Sequence, residues 1–225
     1  MKIKSVPLAR AFAYLSLEEL TFGTGIAIQN LIAALKMKCR FLLSPNSPEQ
    51  LDLGKGVTFE QGDFDGMVIK KLTVFPLVMH LDGADSTDNA RRTLFALLRW
   101  GKDEFGLNFD EESAIRWAFV SDVVFETDFP ILTPLNTVLN TMSRRISGII
   151  KENLREDLEY EPAKFWLAHD PNRRSASLAP FTIERRGLTL PEENVYYSEA
   201  PVPTADHILL LEEFEQAMRG ANEGR

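Results

Sequence analysis

One stretch decides the fold: residues 80–107 read HLDGADSTDNARRTLFALLRWGKDEFGL. An apolar segment ends at Asp82-Gly83, a pair typical of turns, and residues 85–87 offer side-chain oxygens that suit a helix cap. The apolar residues that follow recur at helical spacing, at Ala90, Leu94, Leu97, Leu98, Gly101 and Phe105. Such spacing gives a helix one stripe to bury, and Gly106 suits the left-handed residue that ends it. The stretch predicts a strand, a tight turn and a long amphipathic helix.

A second long helix is predicted over residues 134–154, with Pro134 in its first turn and Thr133 as its cap. Its apolar residues also recur at helical spacing, at Leu135, Val138, Leu139, Met142, Ile146, Ile149 and Ile150. We expect this stripe to be core, so that Leu139→Ala or Ile146→Ala costs about 2–5 kcal/mol. A shorter helix is expected over 26–36, and Thr204 begins a last helix near the C-terminus.

Most of the remaining chain is predicted to form β-strands. Apolar and polar residues alternate, or β-forming residues cluster, at 5–15, 37–43, 57–61, 67–75, 115–126, 164–168, 179–185 and 194–198. The third and fourth of these form a hairpin around Gly62–Gly66. Alternation favours a half-exposed, mostly antiparallel sheet over a parallel one. The predicted fold is α+β: a mostly antiparallel mixed sheet covered on one face by two long amphipathic helices, with a C-terminal helix.

Domain organisation and compartment follow from bulk properties. The chain of 225 residues predicts a single domain, 1–225, with a candidate sub-boundary in the loop 44–56.

A net charge of -8 argues against general nucleic-acid binding and against an anionic membrane surface. No apolar run is long enough to span a membrane, and Arg10 interrupts the only stretch that resembles a signal peptide. Cys39, the single cysteine, allows no intrachain disulfide and suits a small buried side chain. We therefore expect a cytoplasmic protein.

The most suggestive chemical cluster is His80 with Asp82, Asp85 and Asp88. Carboxylates and a histidine at the end of a strand are able to hold a divalent cation. The simpler explanation is structural. Asp82 forms part of a turn, Asp85 caps the helix, and Asp88 in the first turn interacts favourably with the helix dipole. We favour that reading, because the spacing matches no known calcium loop. Asp63 and Asp65 form a second candidate acid pair, and hairpin turns explain them as well.

Basic residues offer further candidates. His169-Asp170 with Arg173 and Arg174 lies at a strand end, where an anion is able to bind, although a solvated loop is the simpler reading. Basic doublets recur along the chain, at Lys70-Lys71, Arg91-Arg92, Arg144-Arg145, Arg173-Arg174 and Arg185-Arg186. Doublets that converged on one face would bind phosphates despite the negative total.

The leading hypothesis is a non-enzymatic interaction or assembly protein, with self-association as one form. Aromatic residues in or beside predicted loops are the candidate anchors, namely Phe109, Phe129, Trp166, Tyr196 and Tyr197. One alternative is a metal-dependent hydrolase that uses His80, Asp82 and Asp85, with His169 as a further weak candidate. A second alternative is a nucleic-acid-associated protein that uses the basic doublets. No cofactor motif and no convincing metal motif is present, so we predict neither.

Overall fold

The computed structural model describes residues 1–15, 21–22, 28–108, 115–170, 172, 178–187, 189–190 and 193–223. In chain order the elements are β1 (Lys2–Leu15), β2 (Thr21–Phe22), α1 (Ile28–Cys39), β3 (Val57–Phe64), β4 (Met67–Val74), β5 (Val78–Gly83), α2 (Thr87–Phe105), β6 (Leu107–Asn108), β7 (Ile115–Glu126), α3 (Asn136–Leu154), β8 (Lys164–Leu167), β9 (Phe181–Arg185), β10 (Val195–Ala200) and α4 (Thr204–Glu223). None of the described helices is both long enough and apolar enough to cross a membrane.

Eight strands form one antiparallel sheet in the order β3-β4-β5-β1-β7-β10-β9-β8, and this confirms the predicted α+β class. The predicted hairpin is β3 and β4, with Phe64 opposite Met67. Asp65 and Gly66 form its two-residue turn, and both have positive φ values, 50° and 86°. Positive φ at both positions matches the twist of the adjoining strands, which explains a turn residue followed by glycine.

The residues divide into two compact units, and each is described by itself. The α2 unit comprises Val6–Asp122 and Pro201–Ala205, whereas the α3 unit comprises Met1–Ser5, Val123–Ala200 and Asp206–Arg225. The loop 44–56, expected to hold any domain boundary, lies inside the α2 unit. Whether the chain behaves as one domain stays a prediction.

The core of the α2 unit lies between its strands and the helices α1 and α2. The small side chains of Ala9, Ala11 and Ala13 alternate along β1 and are fully buried, because a strand turns every second side chain to the same face. Phe59, Leu72 and Leu81 extend this face across β3, β4 and β5, while Leu35 of α1 and Leu94 of α2 pack on the same cluster.

If β2, β3 and β6 are set aside, the α2 unit follows a known pattern. Along the chain its elements run β1-α1-β4-β5-α2-β7, and in the sheet its strands run β4-β5-β1-β7. This is the split β-α-β, or ferredoxin-like, arrangement. Such a fold supports many unrelated functions, so it identifies an architecture and no activity.

The core of the α3 unit is built around the buried side chains of Phe125, Ile183, Tyr196 and Leu211. His207 of α4 is also fully buried, and its Nε2 lies 2.8 Å from Ser198 Oγ. The Ser198 hydroxyl donates to the Thr182 carbonyl oxygen at 2.5 Å, so it is the imidazole that donates to Ser198. This pair ties α4 to β10 and β9, and its complete burial makes it structural.

The opening stretch folds as predicted except at Asp82-Gly83, which ends the strand β5 and does not form a turn. Helix α2 begins at Thr87, and Ser86 is its cap, because Ser86 Oγ accepts the Asn89 backbone N–H at 3.2 Å. Gly106 ends the helix in the left-handed region at φ 66°, and its N–H donates to the Lys102 carbonyl at 2.9 Å. Capping oxygen, buried stripe and terminal glycine therefore all lie where the sequence placed them.

One predicted strand is wrong. Residues 37–43 were expected to be extended, but α1 continues to Cys39, and only Leu43 forms a bridge, to Glu60. The chain leaves the helix through Arg40, whose φ is 51°. Cys39 is fully buried, which agrees with its predicted role as a small hydrophobe, and burial raises the pKa of its thiol to about 12. A thiol held protonated in this way is a poor nucleophile.

Candidate functional site

His80 and Asp82 lie close together, as the sequence suggested, but Asp82 does not make a turn. It belongs to β5, opposite Arg10 of β1. Arg10 Nε donates to Asp82 Oδ1 at 2.5 Å, and Arg10 Nη2 donates to Asp82 Oδ2 at 2.8 Å. The His80 Nδ1 atom lies 3.7 Å from Asp82 Oδ1. Both carboxylate oxygens thus face a guanidinium, a geometry that favours an ion pair over a metal ligand.

The electrostatics of Asp82 agree with this reading. Burial by itself raises the pKa of the carboxyl, but the hydrogen bonds and the charge of Arg10, with His80 close by, outweigh burial and lower the pKa to about 2. The carboxylate is therefore ionised at neutral pH and paired within its own sheet. Around it, the His80 ring lies 5.3 Å from the Phe12 ring and 6.1 Å from the Phe75 ring.

Asp85 is separate from this pair. It is exposed, and its Oδ1 accepts the Ser86 backbone N–H at 2.7 Å while its Oδ2 accepts from the Asn89 side chain. Ser86 provides the actual cap, so Asp85 supports the helix start from just outside it. The structure gives Asp85 a local role at the start of α2 and no contact that would make it a metal ligand.

The other acidic and histidine candidates are also dispersed. Asp63 accepts from Arg40, and Asp65 lies 3.5 Å from Lys38 Nζ. His169 is exposed in the segment that follows β8. Among the residues that the structure describes, no group of three or more His, Cys, Asp and Glu side chains is placed to hold a metal ion.

The predicted aromatic anchors differ in how exposed their side chains are. Trp166 lies on the edge strand β8 and is 64% exposed, which suits an anchor. Tyr197 is half-buried on β10, and Phe129 is half-buried with the Arg219 guanidinium 4.6 Å from its ring centroid. Tyr196 is a correction: it lies within β10 and is 0% exposed, so its ring is core and presents nothing to a partner. Phe109, Arg173 and Arg174 lie outside the described residues.

The feature that the sequence reasoning missed is α3. Its stripe was predicted to be core, but none of the residues of α3 is buried. Val138 is 86% exposed and Met142 is 57% exposed. Leu139, Ile149 and Leu154 are exposed as well, while Ile146 and Ile150 are partly covered. The helix therefore presents an apolar surface, which we call the α3 stripe, defined by Val138, Leu139, Met142, Ile146, Ile149 and Ile150.

The opposite side of α3 is polar and borders a cleft of about 600 Å³ within the α3 unit. The side chains of α3 that line it are Asn136, Thr137, Asn140, Ser143, Arg144 and Ser147. Ser147 Oγ accepts the Tyr160 backbone N–H at 3.1 Å, and Arg144 Nε donates to Asn140 Oδ1 at 2.8 Å. The polar side is thus the one that faces the segment after α3, and the apolar side is left outward.

Comparison with known proteins adds no assignment: no protein-family model matches this chain, and no curated protein matches it.

Proposed function

We propose that this protein is a non-enzymatic assembly protein that self-associates through the α3 stripe. The observation that carries the proposal is the exposure of large apolar side chains along one side of a helix of 19 residues. Soluble proteins seldom leave a contiguous apolar surface in water unless something binds to it. A helix of that length spans about 28 Å, which is enough for several layers of packed side chains.

The spacing along α3 suits pairing with another helix. Leu139, Met142, Ile146 and Ile149 are separated by three and four residues in alternation, which is the heptad pattern of two helices that pack side by side. A second copy of the chain supplies the same pattern, so the two stripes are complementary in length and in character. A two-fold axis through such a contact closes the assembly at a dimer.

Charges beside the stripe favour an antiparallel pair of copies. Arg145 and Glu152 lie one heptad apart on the same flank of the stripe. In an antiparallel pair centred near residue 148, Arg145 of each copy faces Glu152 of the other, and two-fold symmetry makes this contact twice. Opposite charges at flanking positions set the orientation and partner choice of paired helices.

The direct test is sedimentation equilibrium of the whole chain at micromolar concentration, comparing Met142→Glu with Thr141→Glu. Both replacements add one negative charge to an exposed position of α3, but Thr141 is not one of the residues of the α3 stripe. We expect the parent chain and Thr141→Glu to be dimeric and Met142→Glu to be monomeric, because burying a carboxylate at the contact is costly.

Circular dichroism would show whether both variants remain folded. A parent chain that sediments as a monomer up to about 100 µM, where an interface of micromolar affinity is saturated, would refute self-assembly. Equal weakening by the two variants would show that the dimer uses another surface.

A further inference from the structure

A small cleft in the α2 unit combines charge with aromatic rings. It is lined by Arg91, Arg92 and Phe95 of α2 and by Trp117 of β7, and its volume is about 280 Å³. The buried stripe of α2 faces the core, whereas these three α2 side chains lie on its outer side. The cleft therefore opens to solvent, and of its lining residues Trp117 also packs against the hydrophobic core.

Both guanidinium groups remain available to an anion. The Arg91 Cζ atom lies 5.2 Å from the centroid of the Trp117 ring, and Arg92 donates to the Asn89 side-chain oxygen. Within the described part of the chain, neither arginine forms an ion pair with a carboxylate. Two unneutralised guanidinium groups on adjacent residues suit bidentate contacts to phosphate oxygens.

The aromatic rings set this doublet apart from the other basic doublets. Lys71 lies 3.7 Å from Glu60, and Arg185 lies 2.7 Å from Glu161, so each of these cations already has an acidic partner. Beside the 91–92 doublet, Phe95 and Trp117 are each half-buried and present part of their ring at the cleft. Aromatic faces beside cations are the combination that holds unpaired bases next to their phosphates.

We propose that this cleft binds one nucleotide unit, with Arg91 and Arg92 on the phosphate and the base stacked on Phe95 or Trp117. The volume lies just below the usual range for small-ligand sites, so the cleft has room for at most a single nucleotide. The ligand is either a free nucleotide or one residue of a single-stranded nucleic acid, since both supply the same base and phosphate. The proposal is independent of α3 self-association, because it rests on a different helix and on different contacts.

The whole-chain charge sets how such binding would behave. The net charge of -8 repels a polyanion at long range, so only the local pair of arginines favours binding. Neutralising one phosphate of a single strand predicts a shallow salt dependence, with a log–log slope of about -0.7. A steeper slope would indicate a broad electrostatic surface instead of this cleft.

The test is fluorescence anisotropy with a fluorescein-labelled oligothymidylate of about 12 nucleotides, a length within the range that single-strand sites cover. Competition with adenosine monophosphate and with inorganic phosphate separates the possible sources of the ligand. We expect Arg91→Gln with Arg92→Gln, and separately Phe95→Leu, to weaken binding about tenfold or more. The matched control is Lys70→Gln with Lys71→Gln, which removes the same charge from the same unit and should leave the affinity within about twofold of the parent.

Each outcome decides the proposal. Binding of adenosine monophosphate in a calorimetric titration, with no binding of the labelled oligonucleotide, identifies a free nucleotide as the ligand, and binding of both fits a strand. The proposal fails if neither binds, if inorganic phosphate competes as well as the mononucleotide does, or if the lysine control loses as much affinity as the arginine variant. Trp117→Phe keeps an aromatic ring, so it should retain binding even if Phe95→Leu proves too disruptive to fold.

Discussion

Helices α2 and α3 have the same length, 19 residues, and both carry an apolar stripe, yet the protein uses them in opposite ways. Helix α2 buries seven residues, whereas α3 buries none. Helix α2 begins at a serine cap and ends at a left-handed glycine, while α3 follows a 3₁₀ turn, Thr133–Leu135, has no side-chain cap and ends at Arg155 with φ 58°. The contrast teaches that an amphipathic pattern predicts a surface to be covered and does not say what covers it.

The physical reason is that helical spacing reports only on one element. A stripe of leucines and isoleucines gains about 25 cal/mol for each Å² of apolar surface removed from water, whichever surface removes it. A sheet of the same chain and a helix of a second copy are equivalent in that respect. The capped ends of α2 belong to a helix whose stripe is buried within its own unit, whereas α3 starts without a side-chain cap and its stripe is exposed.

The largest expected difference between the two helices is the cost of truncating their stripes. Leu94 of α2 is 0% exposed, so Leu94→Ala should lower the free energy of unfolding by about 2–5 kcal/mol. Val138→Ala in α3 should cost less than about 0.5 kcal/mol in the monomer. Urea unfolding at a protein concentration below the dimerisation range would compare them. Similar losses for both variants would contradict the structural contrast.

The Arg10–Asp82 ion pair just before α2 should make part of the stability depend on pH. The folded-state pKa of Asp82, about 2, lies below its ordinary value of 3.8. The stabilisation is therefore present above about pH 4 and is lost as the pH falls toward 2. Its size is about 2 kcal/mol from the difference in pKa.

The measurement is the difference in unfolding free energy between the parent chain and Asp82→Asn. That difference should be larger at pH 6 than at pH 3, because only the ionised carboxylate forms the pair. A difference that does not change between the two pH values would mean that the ion pair does not contribute as proposed.

The cap of α2 should have a smaller effect. Ser86→Ala removes the oxygen that accepts the Asn89 N–H and should cost about 0.5–2 kcal/mol. Asp85→Asn should be nearly neutral, since an amide oxygen is able to accept the Ser86 N–H and the bond that is lost, from the Asn89 side chain, is exposed. The melting temperature of the parent chain should not change on adding EDTA. A chelator effect that Asp85→Asn abolishes would instead restore the metal-site alternative.

The smallest expected effect is a gain of stability in α3. Gly148 lies in the helix interior, and a methyl group added there would meet nothing within 4 Å. Gly148→Ala should therefore stabilise the chain by about 0.5–1 kcal/mol, the difference in helix propensity. Thermal unfolding would measure it. A destabilised variant would show that this side of α3 is packed against something after all.

The sequence by itself determined the secondary-structure elements that depend only on residues close together in the chain. The α2 helix, the segment 85–87 that holds its cap, and its terminal glycine could be read from residues 80–107, because a cap and a left-handed terminus depend on only a few neighbouring side chains. The structure then showed that Ser86, and not Asp85, is the capping residue. The β3–β4 hairpin followed from its β-forming residues and from the turn residues in the segment 62–66. The antiparallel α+β class followed from half-apolar strands mixed with amphipathic helices.

Only the tertiary structure determined which residues contact one another and which of them are buried. No local pattern shows that Asp82 lies opposite Arg10, since strands distant in sequence were paired by the sheet. Nor could the sequence show that Tyr196 is core, or that Trp117 of β7 completes a cleft with Arg91 of α2. The two long stripes looked alike because burial is a property of the whole folded chain: the strands of its unit cover α2, whereas the apolar side chains of α3 stay exposed.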